Sequence, residues 1–215
     1  NRYSEFKVNG DWILVPEKIK RMNKQAFELI LASGSPRRKR FFEIMGFPFR
    51  VEVIPVAENF PLGLNGIEIA KHIVSNKAKP FIKKVKENEL IITADTIVWH
   101  QNKSLGKPKN TKEAKSMLMK LVNTSHEVIT AVGFLQNEKF ETIFEVSKVT
   151  FGKVSESEIE NYIQTGSPMD KAGAYGIQDS FGIINITKIE GSYSNIIGLP
   201  VPRVLKKIKE ITTKN

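Results

Sequence analysis

The chain has 215 residues, of which 40% are apolar and 26% charged, a composition typical of a folded globular protein. The absence of cysteine excludes disulfides, thiolate nucleophiles and Cys-ligated zinc, and no window approaches the roughly 18 uninterrupted apolar residues that a membrane-spanning helix needs. The net charge of +10 would suit nucleic acid, but the excess lies in residues 1–40 and 201–215, and residues 41–200 carry 18 charges of each sign.

The N-terminal segment differs from the rest of the chain. Apolar and polar residues alternate from Phe6 to Val15 around Asn9-Gly10, which predicts a β-hairpin. A polar, basic connector follows at 17–25. We interpret residues 1–25 as an appendage and residues 26–215 as the main domain.

The main domain alternates short apolar runs with helical patterns and then continues with longer strands. We expect strands at 27–32, 49–55, 90–94, 128–136, 141–151 and 183–189, a hairpin over 98–105, and helices at 37–45, 66–86, 111–121, 155–164 and from about 202. This order predicts an α/β fold with a mixed sheet.

The segment Ser33-Gly34-Ser35-Pro36-Arg37-Arg38 joins the first of these strands to the first helix. Ser35 suits the helix cap, and a helix N-terminus offers unpaired N–H groups and the positive end of its dipole. Two arginines in the first turn add donors suited to phosphate oxygens. The segment therefore fits a polyphosphate site, and the alternative is a capped helix with solvated arginines.

Asp95 follows an apolar strand, and we expect that strand to end there. Open α/β sheets place their ligands at such strand ends, where a carboxylate can hold a divalent cation or act as a base toward water. The alternative is an ordinary turn or capping residue.

Three further features have both a functional and an ordinary structural interpretation. The loop from Met169 to Gln178 carries two glycines, with Lys171 available for phosphate and Gln178 for a base edge, but taken alone it is better explained as an ordinary loop with a glycine turn. Lys77 falls on the apolar stripe of its helix, where it either snorkels or reaches an anion. Lys107 alone reads as an exposed loop lysine.

Taken together, six segments resemble the Maf family of nucleoside triphosphate pyrophosphatases. They are LILASGSPRRKRFFEIMGFPF at 29–49, ITADTIV at 92–98, LGKP at 105–108, SHEVITAV at 125–132, SPMDKAGAYGIQD at 167–179 and GSYSNIIGLPV at 191–201. The resemblance implies an ITPase-like fold, with an elongated mixed sheet, flanking helices and two lobes around a cleft. It also implies hydrolysis of a nucleoside triphosphate to the monophosphate and pyrophosphate with a divalent cation, Mg or Mn.

The resemblance also assigns roles to residues. Asp95 is the expected general base and, with Glu58, the expected metal ligand. The expected substrate-binding residues are Ser33, Ser35, Arg37, Arg38, Lys77, Thr96, Lys107, Asp170, Lys171 and Gln178. Arg37, Thr96 and Gln178 match the markers of the branch that prefers dTTP and UTP, with modified pyrimidine triphosphates as further substrates. The alternatives are a 7-methyl-GTP pyrophosphatase and a regulatory homologue that binds nucleic acid.

Two positions depart from the family pattern. Arg40 stands where the family usually has Glu, which would either weaken metal binding or leave Arg40 facing solvent. Asn123-Thr124 replaces a usual Gly-Arg in a turn. We expect a cytoplasmic enzyme without membrane or nucleic-acid partners, and the resemblance suggests a homodimer.

Overall fold

The computed structural model describes residues 3–8, 11–16, 27–137 and 139–213. Strands β1 (Tyr3–Val8) and β2 (Asp11–Pro16) pair antiparallel, with Val8 opposite Asp11. The expected connector at 17–25 lies outside the described residues, and the division of the chain near residue 25 stays a prediction.

A mixed sheet forms the centre of the main domain. Its strands are β3 (Glu28–Leu31), β4 (Phe49–Val51), β5 (Glu89–His100), β6 (Lys103–Leu105), β7 (Ser125–Gln136), β8 (Lys139–Phe151) and β9 (Ile186–Glu190). They pair in the order β4-β3-β5-β7-β8-β9, and β6 also pairs with β5. The β3 strand is parallel to β4 and β5, and the other pairs are antiparallel. The predicted mixed α/β sheet is confirmed.

Helices flank this sheet. They are α1 (Pro36–Met45), α2 (Gly66–Ala78), α3 (Thr111–Leu121), α4 (Glu156–Gln164), α5 (Ser180–Asn185), α6 (Tyr193–Ile197) and α7 (Val201–Thr213). Among the described residues, no helix combines the length and the apolar character needed to cross a bilayer.

Strand β5 is the element that positions the cleft. On one edge it pairs with β3 as far as Ile92 and with β6 from Val98 onward. Between these two partners, residues 93–97 have no strand on that edge among the residues described. The expectation that the strand ends on Asp95 is wrong, because β7 pairs with the other edge of β5 from Ile91 to Trp99 and holds it extended.

Apolar side chains cluster on either side of this gap and form two lobes. The first lobe packs α1 and α7 against β3 and the first half of β5, with Phe42 and Ile92 fully buried. The second lobe packs α3 and α4 against the second half of β5, β7 and β8, with Leu118 and Phe151 in its core. Helix α2 covers the opposite face of the sheet at Ile97.

Three predicted boundaries differ from the structure. The helix expected over 66–86 stops at Ala78 and gives way to a 3₁₀ turn at Lys79–Phe81, because Pro80 cannot continue the hydrogen-bonding pattern. The strand expected over 49–55 ends at Val51. The apolar run near 183 is the helix α5, whose Ile183 and Ile184 are 69% and 72% exposed, and β9 begins only at Ile186.

Candidate active site

A cleft of about 850 Å³ lies between the two lobes at the unpaired edge of β5. The sequence-predicted site residues come from six separate segments, and all of them line this cleft. They are Ser33, Ser35, Arg37, Arg38, Glu58, Lys77, Asp95, Thr96, Lys107, Asp170, Lys171 and Gln178. The structure therefore brings the whole predicted set together, while the individual roles stay predictions.

Asp95 projects from β5 toward α2, where it meets Lys77. Lys77 Nζ lies 2.7 Å from Asp95 Oδ1 and 2.8 Å from Glu58 Oε1. Of the two possibilities for Lys77, the structure shows the one in which it reaches an anion. Burial alone would raise the pKa of Glu58, but the hydrogen bond and charge of Lys77, with the charges of Lys107 and Arg38, lower it overall.

These two carboxylates are the candidate metal ligands. Both have an oxygen against the same Lys77 nitrogen, so they converge on one region of the cleft. Carboxylate oxygens suit Mg²⁺ and Mn²⁺. Within the described residues no group of three or more His, Cys, Asp and Glu residues could hold a metal ion. Two carboxylates supply only part of the octahedral shell of Mg²⁺, so a cation held by this pair would need further oxygen ligands.

The N-terminus of α1 faces the cleft from the first lobe. Ser35 caps the helix, with its side chain accepting a hydrogen bond from the Arg38 amide, and Pro36 occupies the first turn, as predicted. Ser33 is buried, and its hydroxyl accepts hydrogen bonds from the Ser35 amide at 3.4 Å and from Arg38 Nη1 at 3.1 Å. The loop is thus held in one shape beside the positive end of the helix dipole.

Arg38 is buried, with only 9% of its surface exposed. Its Nε donates to the Gly198 carbonyl at 2.9 Å, its Nη1 donates to the Ala94 carbonyl at 3.0 Å, and its Nη2 donates to Thr96 Oγ1 at 3.0 Å. Burial lowers the pKa of Arg38, against the opposing charges of Asp95 and Glu58. The guanidinium therefore ties α1 to β5 and to the turn after α6.

Thr96 begins a set of hydrogen bonds that runs from the cleft into the sheet. Its hydroxyl lies 2.9 Å from Thr130 Oγ1 on β7, and Thr130 Oγ1 donates to the Asn195 carbonyl at 2.9 Å. The Asn195 side-chain amide donates to the Val128 carbonyl and to Ser147 Oγ. This set connects the half-buried Thr96 in the cleft to α6 through the buried Thr130 and Asn195.

Arg37 and Asp170 connect the two lobes across the mouth of the cleft. Arg37 Nη1 lies 2.9 Å from Asp170 Oδ2, and Lys171 Nζ lies 2.7 Å from Asp170 Oδ1. Burial alone would raise the pKa of Asp170, but hydrogen bonds from Lys171 and Arg37 lower it overall. Two cations from opposite lobes thus converge on one anionic group.

Lys171 is held in place by a polar cluster that the sequence did not predict. Its Nζ donates to the Ser167 carbonyl at 2.6 Å and lies 3.5 Å from Asp179 Oδ2. Tyr162 on α4 also donates to Asp179 Oδ2, and its own oxygen accepts from the Gly176 amide. Helix α4 therefore fixes the loop that presents Lys171.

The remaining predicted residues are more open. Lys107 and Gln178 line the cleft with exposed side chains. Arg40 lies 3.7 Å from Glu43 one turn further along α1 and does not line the cleft. The replaced family position is thus away from the two candidate metal ligands.

A buried histidine supports the cleft wall in the second lobe. His126 Nε2 lies 2.7 Å from the Tyr175 hydroxyl, and Tyr175 lines the cleft. Burial, with a smaller effect of His100, lowers the pKa of His126 to about 3. The imidazole is therefore neutral at ordinary pH, and its contact with Tyr175 is structural.

Sequence reasoning missed Thr130 and Asn195, which carry no obvious chemistry. One signal was present: Thr130 interrupts an apolar run from Val128 to Leu135, and a polar residue inside a buried strand needs a hydrogen-bond partner. The partner itself, 65 residues further along the chain, could not be read from the sequence.

Comparisons with known proteins identify relatives of this chain. The chain is 47% identical over 191 residues to a Flavobacterium johnsoniae protein named dTTP/UTP pyrophosphatase, covering 89% of this chain and 96% of that protein. It is 46% identical to a Flavobacterium psychrophilum protein of the same name, covering 85% and 95%. The solved structure of the Staphylococcus aureus Ham1 protein is 13% identical, with a TM-score of 0.43, covering 58% of this chain and 71% of that one.

The family assignment rests on most of the main domain. The family model described as Maf-like protein matches residues 28–211, from the start of β3 to the last turn of α7, and so includes every segment that lines the cleft. The chain belongs to the Maf family.

Proposed function

We propose that the chain hydrolyses dTTP and UTP to the monophosphate and pyrophosphate. The observation that carries the proposal is the placement of Asp95 at the unpaired edge of β5, inside a cleft that brings cationic side chains from both lobes together. Relatives that carry the name dTTP/UTP pyrophosphatase cover most of this chain and support the proposal. Arg37, Thr96 and Gln178, the three residues that match the dTTP/UTP branch, all line the same cleft.

The triphosphate would lie between the α1 N-terminus and the loop carrying Lys171. Backbone amides at the helix end and the guanidinium of Arg37 are suited to phosphate oxygens. Lys171 and Lys107 supply positive charge from the opposite lobe. Asp170 already holds Arg37 and Lys171 together, so phosphate oxygens can exchange for its carboxylate without moving the cations far.

Asp95 then accepts a proton from the water that attacks the α-phosphorus. The bond between that phosphorus and the oxygen bridging to the β-phosphate breaks, and pyrophosphate leaves with the electron pair. Lys77 orients the Asp95 carboxylate throughout, because its ammonium is held between Asp95 and Glu58. A divalent cation bound by Asp95 and Glu58 would supply charge neutralisation at the phosphates.

Preorganised donors stabilise the charge that develops on the leaving group. Arg38 cannot turn away from the cleft, because the protein holds three of its nitrogens. Donors fixed in this way avoid reorganisation during the reaction, and removing one costs about 10²–10³ in rate in comparable anion sites.

The test is pyrophosphate release from a panel of triphosphates with Mg²⁺ or Mn²⁺. The panel contains dTTP, UTP, 5-methyl-UTP, pseudo-UTP, 5-methyl-CTP, 7-methyl-GTP and ATP. We expect dTTP and UTP to be hydrolysed with the highest kcat/KM. Preference for 7-methyl-GTP would contradict the substrate assignment, and no turnover of any member would contradict the enzymatic function.

A parallel assay of nucleic-acid binding at several salt concentrations addresses the regulatory alternative. Weak binding that disappears with salt is expected for a basic surface without a dedicated site. A cytoplasmic location and a homodimer stay predictions, which fractionation and light scattering would check.

A further inference from the structure

We propose that Thr130 is a positioning residue for Arg38, acting through Thr96, in the reaction proposed above. The inference rests on the proposed function for the identity of the ligand, but the contacts that carry it are independent of that ligand. It assigns Thr96 to the support of Arg38, whereas the sequence predicts that Thr96 binds substrate.

The first step is the number of donors on Arg38. An arginine side chain has five N–H groups. The protein accepts four of them: Nε–H at Gly198, both hydrogens of Nη1 at Ser33 and Ala94, and one hydrogen of Nη2 at Thr96. Within the described part of the chain, the second N–H of Nη2 has no acceptor. That single N–H is the donor left for an anion in the cleft.

The second step is the direction of the hydrogen bonds beyond Arg38. A hydroxyl has one hydrogen, and the hydrogen of Thr130 is donated to the Asn195 carbonyl. In the 2.9 Å contact between Thr96 and Thr130, the donor must therefore be Thr96. Thr96 in turn accepts from Arg38 Nη2. The chain of donors runs from Arg38 through Thr96 and Thr130 to Asn195.

A consequence for Thr96 follows directly. While this chain is intact, its hydroxyl has no hydrogen left to donate to a phosphate or to a pyrimidine carbonyl. What it offers is a lone pair in a fixed direction, which holds Arg38 Nη2.

The third step is the rigidity of the far end. Thr130 is 0% exposed on β7, between β5 and β8, so it cannot touch a ligand in the cleft. Asn195 is equally buried, and its side chain is fixed by the Val128 carbonyl and Ser147. The chain therefore ends on two buried residues, and the side-chain partners of Asn195 lie in the sheet.

The experiment compares three threonine variants. Thr130→Val keeps the volume but removes the hydroxyl, so Thr96 loses the acceptor that fixes its orientation. Thr130→Ser keeps the hydroxyl. Thr93→Val is the matched control: Thr93 is also 0% exposed, and its hydroxyl donates to the Val74 carbonyl of α2, away from Arg38.

For Thr130→Val we expect kcat/KM for dTTP to fall about ten- to hundredfold, the effect of one hydrogen bond to a charged group. We expect Thr130→Ser and Thr93→Val to stay within about twofold of wild type, a change below the worth of one such bond. With Thr96→Val added to the set, the double variant Thr96→Val/Thr130→Val should be no worse than the more impaired of Thr96→Val and Thr130→Val, because both break one chain. Equal losses in Thr130→Val and Thr93→Val, or additive losses in the double variant, would overturn the inference.

A second readout does not depend on turnover. In ¹⁵N NMR spectra, the guanidinium signals of Arg38, identified by their absence in Arg38→Lys, should exchange hydrogen faster in Thr130→Val than in wild type or in Thr93→Val. Unchanged exchange would overturn the inference even if the enzyme is active. A wild-type protein without activity on any triphosphate would instead overturn the proposed function, and the exchange rates would still decide the role of Thr130.

Discussion

Lys77 Nζ on α2 lies 2.7 Å from Asp95 Oδ1 on β5, a contact between a helix and the strand against which it packs. The pair is shielded, with 17% and 13% of the two side chains exposed. It keeps a carboxylate at a fixed position without closing it off from water. This arrangement suits a general base, because the carboxylate must point in a fixed direction toward the water that it deprotonates.

Replacing Asp95 with Asn tests that role. Asn keeps the shape and an oxygen for Lys77 but cannot accept a proton from water, so we expect kcat for dTTP to fall by about 10²–10⁴. The measurement is steady-state pyrophosphate release, with circular dichroism as the control for folding. A correctly folded variant with near-normal turnover would show that Asp95 is not the base.

Arg37 should contribute mainly through its charge-assisted contact with phosphate. We expect Arg37→Gln to lower kcat/KM about ten- to hundredfold, the worth of one or two such hydrogen bonds. Arg40→Gln is the matched control, since it makes the same change in charge on the same helix at a residue that does not line the cleft. If the two variants lose activity equally, Arg37 acts only through the net charge of α1.

His126 predicts a pH dependence of stability. Its pKa is about 3 in the folded protein, chiefly because of burial, against an ordinary value of 6.5. Between these values the unfolded chain binds a proton that the folded protein does not. Stability should therefore fall as pH drops from 6.5 toward 3, by an amount on the order of a few kcal/mol.

Urea unfolding of wild type and His126→Gln at pH 7.5 and pH 4.5 checks this expectation. The variant lacks the titrating group, so its midpoint should change less between the two pH values. His72→Gln, at a half-buried position on α2, is the control. The same pH dependence in wild type and His126→Gln would exclude His126 as its source.

Gly173 should not tolerate replacement by a residue with a side chain. Its φ is +69°, and an added Cβ would lie 2.9 Å from Val98 Cγ2. Gly173→Ala should therefore cost both backbone strain and a steric contact, about 1–3 kcal/mol or more of unfolding free energy.

Gly166→Ala distinguishes the cost of backbone strain from the cost of the steric contact. Gly166 has a similar φ of +74° but nothing within 4 Å of an added Cβ. We expect its loss of unfolding free energy to be smaller, about 1 kcal/mol. Equal losses in thermal or urea unfolding would show that the contact with Val98 is relieved without cost.

Much of the fold can be predicted from the sequence, because it depends on the preferences of residues that are close together in the chain. The cap at Ser35, the capping box of Ser155 and Glu158, and the turn at Gln101 and Asn102 follow from residue preferences within a few positions. The membership of the cleft also followed from the motifs, since every predicted site residue lines it.

What could not be predicted depends on pairing between distant segments. Asp95 lies within a strand because β7 continues along β5, and nothing in residues 90–95 encodes that neighbour. In the same way, the number of Arg38 N–H groups that remain available to a ligand depends on distant partners such as the Gly198 carbonyl, 160 residues away. Local patterns give the side chains of the site, and long-range contacts decide how many of their donors remain available.

The gap in the pairing of β5 also shows how the two lobes are joined at the cleft. Both lobes share this strand and β7 beside it, because Val132 of β7 packs in the first lobe and Val128 in the second, so Asp95 lies on a sheet that runs unbroken from one lobe to the other. Arg37 and Lys171 belong to opposite lobes, and Asp170 joins them at the mouth. A widening of the mouth would therefore break the contact between Arg37 and Asp170, whereas Asp95 would stay held by the pairing of β5 with β7.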